Sequence, residues 1–247
     1  MIYAMADLHG CAEQYFEMLQ LIRFSKEDTL YILGDVIDRG EGGIKILLDM
    51  MRRPNVVFLA GNHEQMAVKV MKEIVESPPG MEDIILSEDH LLWMINGGDP
   101  TKKAFCALDK KRQQEIIEYI LSAPLIEELD AGGRHFHLSH ALPEWDESGL
   151  WEEAPWCEYL WGEPDYDKVY REDTWFVTGH IPTGMIDPEM DGRIIKKNNH
   201  IAIDCGAVFG ENLGCICLDT MEEYYTKESE EKYESDQSTI IDGHRGR

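Results

Sequence analysis

Three times within its first 80 residues the chain passes from a short apolar run through a loop of acids, histidines and glycines into a helical pattern. The first unit is Ile2-Tyr3-Ala4-Met5-Ala6, the loop Asp7-Leu8-His9-Gly10, then Tyr15, Met18, Leu19 and Ile22 at helical spacing. The second is Thr29 to Leu33, the loop Gly34-Asp35-Val36-Ile37-Asp38-Arg39-Gly40, then Ile44, Ile46, Leu47, Leu48 and Met50. The third is Val56 to Ala60, the loop Gly61-Asn62-His63-Glu64, then Met66, Val70, Met71 and Ile74, stopped by Pro78-Pro79-Gly80. Successive β-loop-α units predict parallel strands joined by right-handed crossovers. Their loops then emerge together at the C-terminal edge of one sheet, where open α/β sheets place ligands. The architecture therefore gathers Asp7, His9, Asp35, Asp38, Asn62 and His63.

Residues 81 to 123 read as a helical cap over that sheet, with Trp93 assigned to its core. The pattern then turns to β: Leu125 to Leu129 and Arg134 to Leu138 pair around Asp130-Ala131-Gly132-Gly133. Phe136, Leu138 and His140 share a parity, so His140 points with the apolar side chains, whereas His135 and His137 have the opposite parity. The stretch 143 to 173 reads as a long loop bordering the site. Thr174 to Thr178 is a strand running into Gly179-His180-Ile181-Pro182, and 199 to 204 with 213 to 219 complete a second, mainly antiparallel group. The length suits one large domain or two small ones, and composition marks an acidic C-terminal tail over 221–247.

The formal charge of −25 disfavours nucleic acid and anionic membranes as partners and favours divalent cations. The six cysteines form no Cys-x-x-Cys pair and read as free thiols of a cytoplasmic protein. No run of apolar residues is long enough to span a bilayer. The oligomeric state is not legible.

Carboxylate, imidazole and amide donors at Asp7, His9, Asp35, Asn62, His140 and His180 suit Mn²⁺, Fe or Zn²⁺. Six are more than one catalytic ion needs, and a shared aspartate lets two ions divide them. Two ions about 3.5–4 Å apart clamp a phosphoryl group and activate a bridging water for in-line attack. An acid for the leaving group, a partner for that acid and a cation for the phosphoryl oxygens remain to be supplied. His63, Asp38 and Arg39 have the right chemistry in turn.

Asp7-x-His9-Gly10, Gly34-Asp-x-x-Asp-Arg-Gly40 and Gly61-Asn-His-Glu64, with the histidine before Ala141 and the one in Thr178-Gly-His-x-Pro-Thr183, resemble the signatures of the calcineurin-like metallophosphoesterases, and among them the bacterial serine/threonine protein phosphatases. The resemblance covers roughly residues 1 to 220. It implies an α/β (α+β) four-layer fold, in which two mixed β-sheets pack as a sandwich flanked by helices. It implies a first metal held by Asp7, His9 and Asp35 and a second by Asp35, Asn62, His140 and His180, with Mn²⁺ the favoured ion. His63 would be the general acid supported by Asp38, and Arg39, with Asn62 and His63, would bind phosphate. Glu64 would begin the following helix.

The bacterial members usually carry a second phosphate-binding arginine in a Leu-Trp-x-Arg segment, and here Leu160-Trp161-Gly162-Glu163 places a glutamate there, with Arg171 or another nearby cation the candidate replacement. The expected activity is hydrolysis of phosphoserine or phosphothreonine in proteins. The alternatives are hydrolysis of dinucleoside polyphosphates or small phosphometabolites, and a catalytically weakened metal- or phosphate-binding homologue.

Overall fold

Strict alternation of side chains along the first strands is what sorts this chain into layers. In a computed structural model that describes residues 1–78, 87–144 and 153–226, β1 (Ile2–Met5), β2 (Thr29–Leu33) and β3 (Val56–Leu59) pair in parallel. Tyr3, Met5, Leu30, Ile32, Val56 and Phe58 face outward, into a core shared with α1 (Ala12–Leu21), α2 (Gly43–Met50) and α3 (Asn62–Glu76). The same core takes Trp93 of α4 (Glu88–Ile95), Phe105 of α5 (Asp99–Cys106) and Ile116, Ile117 and Ile120 of α6 (Lys110–Ser122). Within the 81–123 region expected to be helical, α4, α5 and α6 account for most of the described residues, and 81–86 lie outside the described residues.

Ala4, Ala6, Leu33 and Leu59 face the other way and pack against a second sheet. That sheet comprises β4 (Ile126–Ala131), β5 (Arg134–Ser139), β6 (Thr174–Thr178), β7 (Ile195–Lys197) and β8 (His200–Ala202), in the order β4-β5-β6-β8-β7. Phe136, Leu138, Val177 and Ile201 supply its inner face. Its outer face is covered by α7 (Glu158–Trp161), by Tyr166 and Tyr170, and near α8 (Thr183–Ile186) by Ile186. Two mixed sheets between covering helices are the expected fold.

Two expectations need correction. The second group is not mainly antiparallel, because β5, β6 and β8 run parallel to one another and only the outer pairings are antiparallel. The 213–219 segment does not belong to it either. β9 (Gly214–Cys217) returns to the first sheet, antiparallel to β1, and β10 (Glu223–Tyr225) pairs outside β9. Parity alone could not choose between the sheets: Cys215 and Cys217 do share a face, but it is the helix-covered face of the first sheet. The expected acidic tail thus begins with a strand, and 227–247 lie outside the described residues.

The parallel strands of both sheets deliver their C-terminal loops to one place. The loop after β1 continues the ladder with the loop after β2: His9 N–H donates to Asp35 O at 2.8 Å and Gly10 N–H to Val36 O at 2.9 Å. Gly34 makes the junction possible. Its φ is +79°, and a Cβ there would lie 2.6 Å from both Gly61 Cα and His140 Nδ1. Gly34→Ala is therefore expected to cost more than about 2 kcal/mol. Gly133→Ala, at φ +75° with nothing within 4 Å of the added Cβ, should cost only the backbone share, about 1 kcal/mol. Urea denaturation of both variants checks this, and equal losses would contradict it.

Candidate functional site

Asp35 stands at the centre of the gathered loops. Its Oδ2 lies 3.5 Å from His9 Nε2 and 3.8 Å from His63 Nε2, while its Oδ1 lies 3.5 Å from His140 Nε2. Two overlapping groups result, His9–Asp35–His63 and Asp35–His140–His180, each with donor atoms within 4.8 Å of one another. The candidates for metal, acid and phosphate roles, Asp7, His9, Asp35, Asp38, Arg39, Asn62, His63, His140 and His180, lie at this cluster, and of these Asp7, His9, Asp35, Asp38, Asn62, His63 and His140 are buried.

The second hydrogen bond of each histidine settles which nitrogen faces inward. His9 Nδ1–H donates to Ile37 O at 3.0 Å and His140 Nδ1–H to Leu33 O at 2.8 Å, which leaves both Nε2 lone pairs aimed at Asp35. Carbonyl-anchored imidazoles of this kind are the usual supports of metal-binding histidines. Burial pushes the His9 pKa down to about 3 and that of His180 down to about 4, and lowers that of His140, which favours the neutral imidazole in all three.

The donor set fits cations. Asp7 Oδ2 accepts from His180 N–H at 3.0 Å, but its Oδ1 is buried with no hydrogen-bond partner among the described residues. Burial and the charges of Asp204 and Asp35 hold the Asp7 carboxyl well above its ordinary pKa, a sign of negative charge lacking a counter-ion. Asn62 Oδ1 faces His140 Nε2 at 2.9 Å, two acceptors that a cation between them would reconcile; turned over, the amide donates to Asp35 and His140 instead.

A second constellation adjoins the first. His63 Nδ1–H donates to Asp38 Oδ2 at 2.7 Å. Burial opposes charge on His63, but Asp35 and Asp38 outweigh it, and the pKa is raised. Arg39 reaches across both histidines, with Nη1 2.6 Å from His9 Nε2 and Nη2 3.2 Å from His63 Nε2. Asp7, His9, Asp35, Asp38, Arg39 and His180 all hold positive φ values, between 38° and 71°. Such strain collects where a fold must present side chains from tight turns.

The sequence reading missed three supports. Glu64, assigned only to the start of α3, is buried and accepts four backbone N–H groups: Asp35 and Gly61 on Oε2, Val36 and Ile37 on Oε1. Burial and the Asp35 charge push its pKa up to about 7 against the pull of those donors. Trp93, assigned to the core, is fully buried there and also donates Nε1–H to both oxygens of Asp38, at 2.9 and 3.0 Å. Thr101 Oγ1 accepts from Asp38 N–H at 2.8 Å. A buried indole needs a partner for its N–H, which was the available signal.

Arg171 does not replace the missing arginine. It pairs with Glu128 at 3.5 Å, and Glu128 bonds His137 on the outer face of the second sheet, away from His140. Glu163 follows α7, is exposed, and lines a cleft with Asp165, Ile181 and Lys197.

The model of the calcineurin-like phosphoesterase family matches residues 1–203, and the chain belongs to that family. It is thus a metal-dependent phosphoester hydrolase by family, and the family implies divalent metal ions. Serine/threonine-protein phosphatase 1 of Salmonella typhimurium is 32% identical over 220 residues, 86% of this chain and 89% of that one. A symmetrical bis(5'-nucleosyl)-tetraphosphatase of Wigglesworthia glossinidia brevipalpis is 29% identical over 173 residues, 68% of this chain and 55% of that one. A protein serine/threonine phosphatase structure from Saccharomyces cerevisiae shares the fold, with a TM-score of 0.56 at 14% identity over 87% of this chain and 71% of that one. Among the described residues no helix is long and apolar enough to cross a membrane.

Trp93→Phe removes one N–H from Asp38 and little else. It should lower kcat about tenfold with KM unchanged, as loss of a supporting hydrogen bond does. Steady-state kinetics test this, and an unchanged kcat would remove Trp93 from the machinery.

Proposed function

We propose that the protein is a dinuclear-metal phosphomonoesterase acting on phosphoserine or phosphothreonine in proteins. The observation that carries the reading is the division of Asp35: one carboxylate oxygen turns to His9 and His63, the other to His140. Asp7, His9 and Asp35 would hold one divalent ion, and Asp35, Asn62, His140 and His180 the other. Asp7 is preferred to His63 because its Oδ1 is buried and unpartnered, whereas the raised pKa of His63 favours a protonated Nε2 with no lone pair for a metal. Mn²⁺ is the favoured ion for this mixed donor set.

When bound, the ions would polarise the phosphoryl group and supply the attacking water in deprotonated form. This chain's own residues do the rest. Arg39 takes the non-bridging oxygens, helped by Asn62 and His63, and neutralises charge as it develops. His63, kept protonated by Asp38 and Asp35, gives its Nε2 proton to the departing serine or threonine oxygen. Trp93 and Thr101 hold Asp38 so that His63 keeps its direction.

The coverage of the Salmonella phosphatase over most of both chains supports a phosphoprotein substrate. So does the charge of −25, which opposes a dinucleoside polyphosphate more strongly than a phosphopeptide. With Glu163 in place of the second arginine, Arg39 is the main phosphate contact.

The test is Mn²⁺-dependent turnover of an aryl phosphate, a phosphothreonine peptide and a dinucleoside tetraphosphate. The peptide should be hydrolysed faster than the dinucleotide, and chelation should abolish both. His63→Asn should lower kcat about 10²- to 10⁴-fold. Faster dinucleotide hydrolysis would transfer the assignment to that substrate. No turnover by metal-loaded protein would make this a binding homologue.

A further inference from the structure

If Arg39 is the main phosphate contact, what holds its guanidinium decides how well the phosphoryl group is gripped. The backbone is secured, since Arg39 N–H donates to Gly97 O at 2.8 Å. The side-chain contacts with His9 Nε2 and His63 Nε2 are not permanent anchors, because the first nitrogen is assigned to a metal and the second to proton donation. A third contact is different in kind. Arg39 Cζ lies 5.6 Å from the centroid of the Phe209 ring, within the range at which a cation is attracted to an aromatic face.

Phe209 is 64% exposed, yet its loop is firmly braced. It ends a single 3-10 turn, Ala207–Phe209, set between Gly206 and Gly210 in left-handed conformations at φ +75° and +102°. Asp204 Oδ1 accepts from Gly206 N–H at 3.0 Å, and Phe209 N–H donates to Gly206 O at 2.9 Å. Gln14 of α1 donates to Glu211 O at 2.9 Å, tying the turn to the helix that follows the first site loop. An apolar side chain left largely in water on a hydrogen-bonded turn has forgone burial, and Arg39 Cζ lies over its ring.

We propose that Phe209 is a positioning residue for Arg39. The ring attracts the guanidinium without using any of its N–H groups, so all of them stay available to phosphoryl oxygens. A hydrogen-bonding partner in the same place would compete with the phosphate. The inference rests on the phosphate role given to Arg39 above and adds the means by which its guanidinium stays in position.

Orthophosphate binding to the Mn²⁺-loaded protein, measured by calorimetry, tests this without turnover. Phe209→Leu should weaken orthophosphate about fivefold, while Phe209→Tyr and Phe209→Trp stay within about twofold of the parent because they keep the aromatic face. In an Arg39→Ala background, Phe209→Leu should have no further effect. The Arg39 side-chain protons, shifted by the ring current in the parent, should move in Phe209→Leu whether or not metal is present. As the side chain is exposed, the melting temperature should not change. Equal weakening by the leucine and tryptophan variants, an additive loss in the Arg39→Ala background, or unmoved Arg39 signals would overturn the proposal. None of these readouts depends on which phosphoester is hydrolysed, so a failed phosphopeptide assay leaves them intact. Conversely, their failure with peptide turnover preserved strikes Phe209 alone.

Discussion

The buried carboxylate of Glu64 is the interaction on which the rest of the site depends. It binds three consecutive backbone N–H groups of the loop after β2 and the N–H of Gly61 at the start of α3. Hydrogen bonds to a charged group are worth more than neutral ones. Here they offset the strain of positive φ at Asp35, Asp38 and Arg39. One side chain thereby sets the spacing between two loops from adjacent parallel strands. His63 N–H, also in α3, donates to Asp35 Oδ1 at 3.1 Å and closes the same link from the other side.

From that clamp the work is divided among the layers. The two sheets bring candidate ligands to a shared edge: Leu33 of the first holds His140 of the second, and Asp7 of the first holds the backbone of His180 of the second. The helical layer does something else, fixing the Asp38–Arg39 turn through Trp93, Thr101 and Gly97. Burial pushes the Asp204 pKa up to about 7, and that of Asp7 is raised as well. The interior of the site is therefore rich in carboxylate and short of countercharge, the condition that divalent cations relieve.

What was legible in the sequence was whatever repeats locally. The β-loop-α units, their Gly-bracketed loops and the side chains that gather at the site were readable because period and motif are local properties. The supports were not, since Glu64 and Trp93 have unremarkable local roles, a helix start and a core residue, and acquire their second role from loops distant in the chain. The sheet membership of β9 was hidden for the same reason. Alternation of Cys215 and Cys217 specifies a strand with two unlike faces, but pairing with β1 across some two hundred residues leaves no local mark. Arg171 shows the converse error, where nearness in sequence to Glu163 suggested a substitution that the outer face of the second sheet rules out.

The central claim is that Asp35 joins two metal ions, and crystals grown with Mn²⁺ would test it directly by anomalous diffraction. The account expects two peaks about 3.5–4 Å apart, with one Asp35 oxygen on each, Asp7 and His9 around the first, and Asn62, His140 and His180 around the second. A single peak, or two peaks with Asp35 bound to only one, would contradict it.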